Sequence, residues 1–523
     1  MGQICKIEVN KMEKGRIMYI PLDERPCNYE FPRMIIDISD IDMIRPPKEI
    51  LGCKKKPADV DKLWEWMRQN IEGITHLVVS IDMLVYGGIV PSRIHQKQVE
   101  ECLSKLLRLR ELKKANNNLK IFAFNLIMRM PSYNSSEEEP DYYEEFGERI
   151  FRFGALTDKI DLNIATEEEI KEFNALKREI PEEILEDYLR RREVNHKVNL
   201  YVVDLVKENV IDFLIIPMDD SSKYGFSPME RRKIMKYIDE LDLTDRIYSY
   251  PGADEVGCTL TARAFNDIKG VKPAVFTRYS SENGKNVIPL LEDRRLGETV
   301  KYQIIAAGGI VTEDSEKADF ILMINSPSEI TQQIGDSWNS YLTRRDVGDP
   351  ERNLNEFVEA IKDYIGKGKN CSVADVAFLN GADNSLMKLI KKYGLLKKLL
   401  SYGGWNTSAN TLGTVIAHSM ASSFYINSDN FTEDRKERSY RFLFLRYLED
   451  WGYQYEVRTK VAKEIDKYGV SYFDLGEKEK IISEVIKGEL EKFKKENLNE
   501  FDYEFNVYMP WNRLFEVGIE VKK

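Results

Sequence analysis

The chain has 523 residues, of which 42% are hydrophobic and 32% are charged, and its formal net charge is −11. This composition is typical of a globular protein, and a chain of this length predicts a large core and more than one domain. The negative charge argues against nucleic acid as the main partner, because phosphate binding needs a concentrated basic surface.

The cysteines and histidines give little support for a disulfide framework or a metal site. The six cysteines are scattered and form no CxxC pair, and the four histidines show neither HxH nor HExxH spacing. The polar N-terminal residues lack the apolar core of a secretory signal, and no apolar run reaches the ~18–20 residues that span a bilayer. We therefore expect a cytoplasmic protein with reduced thiols, no membrane partner and no cofactor. The oligomeric state is not indicated.

Short apolar runs alternate with amphipathic stretches along most of the chain. Runs of this length that are apolar on both faces are typical of strands buried between helices. Their alternation with helical patterns such as Val60–Ile71 and Gln98–Lys114 predicts parallel strands joined by right-handed crossovers. The predicted strands are Ile17–Leu22, Leu77–Ile81, Ile121–Met128, Phe213–Met218, Ile247–Tyr250, Ala274–Thr277, Phe320–Ile324 and Val373–Leu379.

The predicted fold class is α/β, with a TIM-barrel-like domain of parallel strands. We place this catalytic domain at residues 1–285, closing by about Tyr279, with a helical insertion near 158–209. A smaller α/β unit, residues 286–430, is expected to contribute to the cleft. Residues 431–523 are expected to be a helical region that ends in a short β tail.

Polar residues follow the predicted strands in the first half of the chain. Functional groups of α/β proteins lie just past the carboxyl ends of the strands, so we take these residues as site candidates. Each acid can instead cap the next helix. One acid suffices for a cap, however, and a second beside it adds repulsion, so Asp219-Asp220 calls for another explanation. The candidates are Asp23, Arg25, Asn28, Asp82, Tyr86, Asn125, Arg129, Asp219, Asp220, Asp254, Glu255, Arg278 and Tyr279.

Two segments of the second half are rich in glycine and asparagine. They contribute Asn380, Asp383, Trp405 and Asn406 as candidate substrate ligands. The second segment enters a helix whose backbone amides can bind an anion, or its Asn and Thr side chains can bind sugar hydroxyls. The GxxxxGK[ST] and GxGxxG patterns are absent, so a nucleotide site is not predicted. Aromatic residues near strand ends or loops (Tyr86, Tyr224, Phe226, Tyr250, Tyr279 and Trp405) are candidates for stacking on sugar rings.

The adjacent acids favour a glycoside hydrolase with Asp219 and Asp220 as catalytic residues. Two carboxyls close together can keep one proton at neutral pH, so that one is protonated and the other is ionised. Glycoside hydrolysis needs one carboxyl as an acid and one as a carboxylate. One alternative is a hydrolase or lyase that holds a divalent metal through oxygen ligands of Asp23, Asp82, Asp219 and Asp254. Another is a carbohydrate-binding protein without activity.

Four segments carry a resemblance to a known family: PLDERPCN, SIDMLVYGGIVPSR, NGADN and GGWNTSANTLGTVIAHS. They resemble a bacterial family catalogued only as a domain of unknown function, from about Ile17 to about His418, and the resemblance implies no activity. An apolar strand that runs into Asp-Asp also resembles the O-GlcNAcase-like hydrolases, which use substrate assistance. That resemblance implies that Asp219 polarises an acetamido group and that Asp220 is the general acid.

Overall fold

The computed structural model describes residues 15–335 and 349–522. Within these residues the strands form two parallel sheets and one antiparallel hairpin. The first sheet contains β1 (Arg16–Ile20), β2 (Asp42–Ile44), β3 (His76–Ser80), β4 (Lys120–Phe124), β5 (Phe213–Ile215) and β6 (Ile247–Tyr248). The second sheet contains β7 (Ala274–Tyr279), β8 (Ile310–Val311), β9 (Phe320–Asn325), β10 (Cys371–Asp375) and β11 (Ser401–Gly403). The hairpin is β12 (Glu504–Tyr508) with β13 (Gly518–Lys522).

Helices connect the strands and cover both sheets. In the first half they are α1 (Pro26–Tyr29), α2 (Phe31–Ile36), α3 (Val60–Asn70), α4 (Ile81–Val85), α5 (Ile89–Ile94), α6 (Val99–Ala115), α7 (Tyr143–Asp161), α8 (Glu167–Glu179), α9 (Glu182–Lys207), α10 (Phe226–Glu240) and α11 (Val256–Lys269). In the second half they are α12 (Leu296–Ala306), α13 (Glu329–Gly335), α14 (Leu354–Gly366), α15 (Asn384–Lys392), α16 (Ser408–Asn427), α17 (Glu433–Arg446), α18 (Arg458–Ala462) and α19 (Glu479–Asn497). None of these helices combines the length and the apolar character needed to cross a membrane.

The two sheets share one strand order. The first runs β2-β1-β3-β4-β5-β6, and the second, read from its other edge, runs β8-β7-β9-β10-β11. In both, the first strand in sequence lies inside the sheet, the second lies at the edge, and the later strands add on the opposite side. This doubly wound order has a switch point between β1 and β3 in one sheet and between β7 and β9 in the other. Ligands of such sheets bind at the carboxyl ends of the strands near that point.

The parallel α/β class is confirmed, but the barrel is not. In the described residues the first sheet is open, with β2 and β6 as its edge strands. β7, which we predicted as a barrel strand, pairs with β8 and β9 in the second sheet instead. Apolar strand runs look alike in an open sheet and in a barrel, because both bury their strands on two faces.

The strands that the sequence did not predict are β2, β8 and β11, and all three lie at a sheet edge. Each has only two or three residues. An edge strand pairs with one neighbouring strand and buries less apolar surface than a central strand. Its apolar run in the sequence is therefore too short to recognise. Residues 158–209 do contain two helices, α8 and α9, and the end of α7. The predicted β tail is the β12–β13 hairpin.

Helices α11 and α16 join the two halves of the molecule. α11 packs against β3 and β4, α16 packs against β9, β10 and β11, and the two helices pack against each other. Gly413 of α16 lies where they approach, since a Cβ atom there would be 2.4 Å from Glu255 Cγ. The close packing fixes the loops that follow β6 and β11 next to one another.

A π-helix, Tyr447–Val457, connects α17 to α18. Such segments are rare and occur often at functional sites, because the wider turn changes the direction of side chains. Here the segment and the first residue of α18 bring Glu449, Gln454 and Arg458 to the edge where the two sheets meet.

Candidate functional site

A cavity of about 470 Å³ lies at the carboxyl edge of the first sheet. Every strand of that sheet except the edge strand β2 contributes to its wall through the residues that follow the strand. They are Arg25 after β1, Arg93 after β3, Arg129 after β4, Asp219 and Asp220 after β5, and Asp254 after β6. The placement is the one that the doubly wound topology predicts for a ligand site.

The second sheet and the C-terminal region close the same cavity. Leu291, Asn380 and Asn406 reach it from the segments after β7, β10 and β11. The opposite wall comes from α7, from α18 and from the segment before β13; its residues include Phe151, Arg458, Arg513 and Phe515. The site therefore lies between the carboxyl edges of the two sheets.

Asp219 and Asp220 lie side by side on the cavity wall. Their side chains are 13% and 22% exposed, so both are accessible from the cavity. Asp219 accepts a hydrogen bond from Arg93, and Asp220 Oδ2 accepts one from Arg129 NH1 at 3.0 Å. Burial and the neighbouring charge of Asp219 raise the pKa of Asp220 to about 6, against the opposing effect of Arg129.

Glu138 forms ion pairs with three arginines of the wall. It pairs with Arg93 NH1 at 2.6 Å, with Arg129 NH2 at 3.2 Å and with Arg513 NH1. Burial opposes its ionisation, but these guanidinium groups outweigh burial and hold its pKa well below the ordinary value. We call the following residues the arginine–carboxylate cluster: Arg93, Arg129, Arg513, Glu138, Glu139, Asp219 and Asp220. Arg513 also pairs with Glu516 at 3.0 Å, so the cluster continues into the segment before β13.

Asp254 lies on the cavity wall beside Arg25. Its Oδ1 accepts from Arg25 NH2 at 2.6 Å and from Asn28 Nδ2 at 2.9 Å, and its Oδ2 accepts from Asn406 Nδ2 at 3.5 Å. Burial raises the pKa of Asp254 to about 6, with Arg25 opposing. Asp23 accepts from the same guanidinium at 2.6 Å. Arg25 thus fixes two carboxylates at the end of β1 and β6.

Asn380 and Asn406 hold the second sheet's loops against the cavity. Both have left-handed backbones, with φ of 53° and 51°, and Asn380 N donates to Asn406 O at 3.0 Å. Asparagine tolerates this conformation better than most residues, but it still needs support from the surroundings. Asp220 and Leu291, with φ of 37° and 63°, are two further non-glycine residues of this kind in the wall.

Several predicted site residues lie behind the cavity wall and not in it. Asp82 is buried and accepts from Leu126 N at 3.0 Å, and burial raises its pKa to about 7. Glu255 accepts from Gln303 Nε2 at 3.0 Å, and burial raises its pKa to about 7. Tyr86 stacks on His95 in the core, and Asn125 is buried with its Oδ1 unpartnered among the described residues. These groups support the wall and do not reach a ligand in the cavity.

Three other predicted residues belong elsewhere. Arg278 pairs with Glu356 at the surface of the second sheet, and Tyr279 is its neighbour in β7. Asp383 is the N-cap of α15 and pairs with Arg352 at 2.7 Å in a buried network with Asp375. Asp383 thus has the capping role that we considered for the acids of the first half of the chain.

The cavity's aromatic residues differ from those that the sequence suggested. Phe226 and Tyr250 are core residues, and only Trp405 of the suggested set lies next to the cavity. The aromatic wall comes from Tyr133, Phe151, Tyr472, Phe473 and Phe515. Tyr133 follows the predicted strand Ile121–Met128 by five residues and was overlooked, whereas the other four follow none of the predicted strands closely, so the strand pattern gave no signal for them.

The sequence also missed Glu138, Arg458 and Arg513. Arg458 donates to two backbone carbonyls, Asn380 O at 3.0 Å and Phe515 O at 3.3 Å. Glu138 and Arg513 lie in segments without an apolar pattern. Arg93, in contrast, follows β3 within a resembling motif, and its position after a strand was a usable signal.

No three His, Cys, Asp or Glu side chains converge as a metal site in residues 15–335 and 349–522. Of the acids of the all-oxygen site that we considered, Asp23 and Asp254 both accept from Arg25, Asp219 accepts from Arg93, and Asp82 accepts from a backbone N–H. The geometry of these donors therefore gives the metal-dependent alternative no specific support.

The fold and the site define a protein of two doubly wound parallel sheets that meet at a cavity lined by paired carboxylates and arginines. Residues 17–520 match the family described as "Protein of unknown function (DUF4127)", and the chain belongs to that family. The match takes in both sheets, the π-helix and nearly all of the β12–β13 hairpin. No curated protein matches the chain.

Proposed function

We propose that the protein is a glycoside hydrolase in which Asp220 is the general acid and Asp219 is its partner carboxylate. The observation that carries this proposal is the adjacent acid pair on the cavity wall, in which each carboxylate has its own arginine and the pKa of Asp220 is raised to about 6. A carboxyl that keeps its proton near neutral pH can act as the acid beside a second carboxylate.

The mechanism assigns each residue one task. Asp220 donates its proton to the leaving oxygen as the glycosidic bond breaks. Asp219, oriented by Arg93, stabilises the positive charge that develops on the sugar ring, or polarises an acetamido group that attacks it. Arg129 positions Asp220 through the 3.0 Å hydrogen bond and keeps its pKa from rising further.

The rest of the cavity supports a sugar as the substrate. Asp254, Asn380 and Asn406 offer hydrogen-bond partners for hydroxyl groups, and aromatic side chains such as Phe151 and Phe515 offer apolar surface. A volume of about 470 Å³ suits a small ligand. N-Acetylated sugars are the first class to test, because substrate assistance uses the acetamido group.

The test is hydrolysis of a panel of chromogenic glycosides, with and without a chelator. Asp220→Asn should lose at least about 100-fold in kcat/KM, the range of general acid catalysis. Asp363→Asn, a surface acid of α14 paired with Lys367, is the matched control and should act like the wild type. Equal rates for Asp220→Asn and the wild type would refute the assignment. An activity that the chelator abolishes would favour the metal-dependent alternative.

A cytoplasmic location is part of the same proposal. Cys27, Cys102, Cys258 and Cys371 are buried free thiols and Cys53 is an exposed one. Free thiols are typical of a reducing compartment. Cell fractionation with an antibody against the protein would test the location.

A further inference from the structure

A small recess of about 20 Å³ opens beside the cavity. Arg25, Asp254, Asn380, Asn406 and Phe515 line both spaces, so the recess adjoins the cavity directly. Its remaining wall includes Trp405 after β11 and Gln454 of the π-helix. A volume of this size holds one water-sized group.

Two polar atoms of the recess residues have no hydrogen-bond partner among the described residues. They are Trp405 Nε1, a donor, and Gln454 Oε1, an acceptor. The two side chains are buried, at 7% and 6% exposure. Buried polar atoms are nearly always hydrogen-bonded, so these two complementary atoms, in residues that line one small recess, are the candidates to bind a group there.

Both side chains are held in place by other contacts. Gln454 Nε2 donates to Phe515 O at 3.2 Å, which leaves Oε1 as the free end of the amide. The Trp405 ring packs edge-on against Phe31 at 6.0 Å, and Thr411 Oγ1 bonds its backbone N and O at 2.9 and 2.7 Å. A preorganised donor and acceptor select a ligand better than mobile ones, because no ordering is needed on binding.

The chemistry of the wall selects the group. A carboxylate only accepts hydrogen bonds, so it would leave Gln454 Oε1 unpartnered, and it would face Asp254 and Glu516, which line the recess together with Arg25. An ammonium group only donates, so it would leave Trp405 Nε1 unpartnered. A hydroxyl both donates and accepts, and it satisfies both atoms at once.

We propose that the recess is the subsite for one hydroxyl group of the substrate, which accepts a hydrogen bond from Trp405 and donates one to Gln454. The two residues then determine specificity, because they discriminate between a sugar and its analogue that lacks this hydroxyl. The proposal rests on the proposed function in taking the substrate to be a sugar.

The experiment compares the best chromogenic glycoside with its monodeoxy analogues. In the wild type, one analogue should lose about 10-fold or more in kcat/KM, since a site built for a hydroxyl rejects its absence. Trp405→Phe should lower kcat/KM for the parent by about 3- to 10-fold, the worth of one hydrogen bond, and leave that analogue unchanged. Gln454→Met should do the same. Trp66→Phe is the matched control, because Trp66 is a half-buried residue of α3 that is not among the residues that line the cavity or the recess.

Three outcomes decide the proposal. If no monodeoxy analogue is discriminated by the wild type, the recess holds solvent and the proposal is overturned. If Trp405→Phe and Gln454→Met lower kcat/KM equally for the parent glycoside and for every analogue, the two residues have a structural role and the proposal is also overturned. The proposal is confirmed if both variants discriminate less than the wild type between the parent and the same single analogue.

The assignment of Asp220 as the general acid is tested separately from the recess. If Asp220→Asn hydrolyses glycosides as the wild type does, the acid assignment fails. Calorimetric binding of free N-acetylglucosamine, glucose and their monodeoxy analogues to wild type and Trp405→Phe then tests the recess alone. Binding that discriminates one deoxy sugar supports the subsite without catalysis, and no binding of any sugar overturns it.

Discussion

Asp219 and Asp220 are consecutive in the chain, yet their carboxylates pair with different guanidinium groups, Arg93 and Arg129. The left-handed backbone of Asp220, φ 37°, follows the end of β5 and directs the two side chains to separate partners on one wall. An extended backbone would place consecutive side chains on opposite faces of the strand.

Asp219→Asn should lower the pKa of Asp220 from about 6 toward the ordinary value of an aspartate. The charge of Asp219 is, after burial, the largest cause that raises this pKa, and asparagine removes it. Carbon-13 NMR titration of aspartate-labelled protein, with Asp220→Asn to assign the signal, measures the change. An unchanged titration would show that the two carboxyls do not interact.

The rate of hydrolysis should fall as the pH rises through about 6. Asp220 acts as an acid only while protonated, so activity follows its protonated fraction on the alkaline side. Arg129→Gln removes a positive charge that lowers this pKa, and the alkaline limb of kcat/KM should therefore move to higher pH. If the alkaline limb of the kcat/KM profile moves to lower pH or stays in place, Arg129 does not lower the pKa of Asp220.

Glu292→Gln should make the protein less sensitive to pH. Glu292 is buried at the start of α16, where Oε1 accepts from Ala409 N at 2.8 Å, and burial raises its pKa to about 8. Because burial favours the neutral carboxyl of Glu292 in the folded state, the stabilisation that Glu292 contributes is fully present below about pH 4.3. As the pH rises from there to about 8, the free energy of unfolding falls by roughly 1.4 kcal/mol per pH unit.

Urea denaturation at pH 5 and pH 8 measures this difference. The variant should gain stability relative to the wild type between the two values, because glutamine keeps the acceptor for Ala409 without an ionisable group. Glu433→Gln, whose side chain is 91% exposed, is the control and should show no such gain. A parallel decline in wild type and Glu292→Gln would mean that Glu292 is ionised in the folded state.

Gly413→Ala should destabilise the junction of the two halves. The new methyl group would lie 2.4 Å from Glu255 Cγ and 2.8 Å from Thr259 Oγ1, so α16 and α11 must separate. We expect a loss of about 1–3 kcal/mol in the free energy of unfolding. Gly488→Ala in α19, where nothing lies within 4 Å, should instead be neutral or gain up to about 1 kcal/mol. Chemical denaturation of both variants makes the comparison.

The sequence alone determined the α/β class, the parallel strands of the two sheets' interiors and the residues at their carboxyl ends. Apolar runs such as Phe320–Ile324 are recognisable because a buried strand needs apolar side chains on both faces. The acid pair Asp219-Asp220 and the residues Arg25, Arg129, Asp254 and Asn380 were found by position after such runs, whereas Asn406 was chosen from a segment rich in glycine and asparagine. The structure brings all of them to one cavity.

Only the tertiary structure decided how the strands associate and which side chains share the cavity. An open sheet and a barrel bury strands alike, so β7 was assigned to the wrong sheet. Glu138, Arg458 and Arg513 reach the cavity through contacts more than 75 residues apart in the chain, such as Arg458 with Asn380. Asp383 and Asp254 both follow a predicted strand, but Asp254 lines the cavity whereas Asp383 caps α15. Spacing in the sequence gives the local conformation, whereas ion pairs, pKa shifts and the cavity depend on which surfaces meet when the two sheets pack.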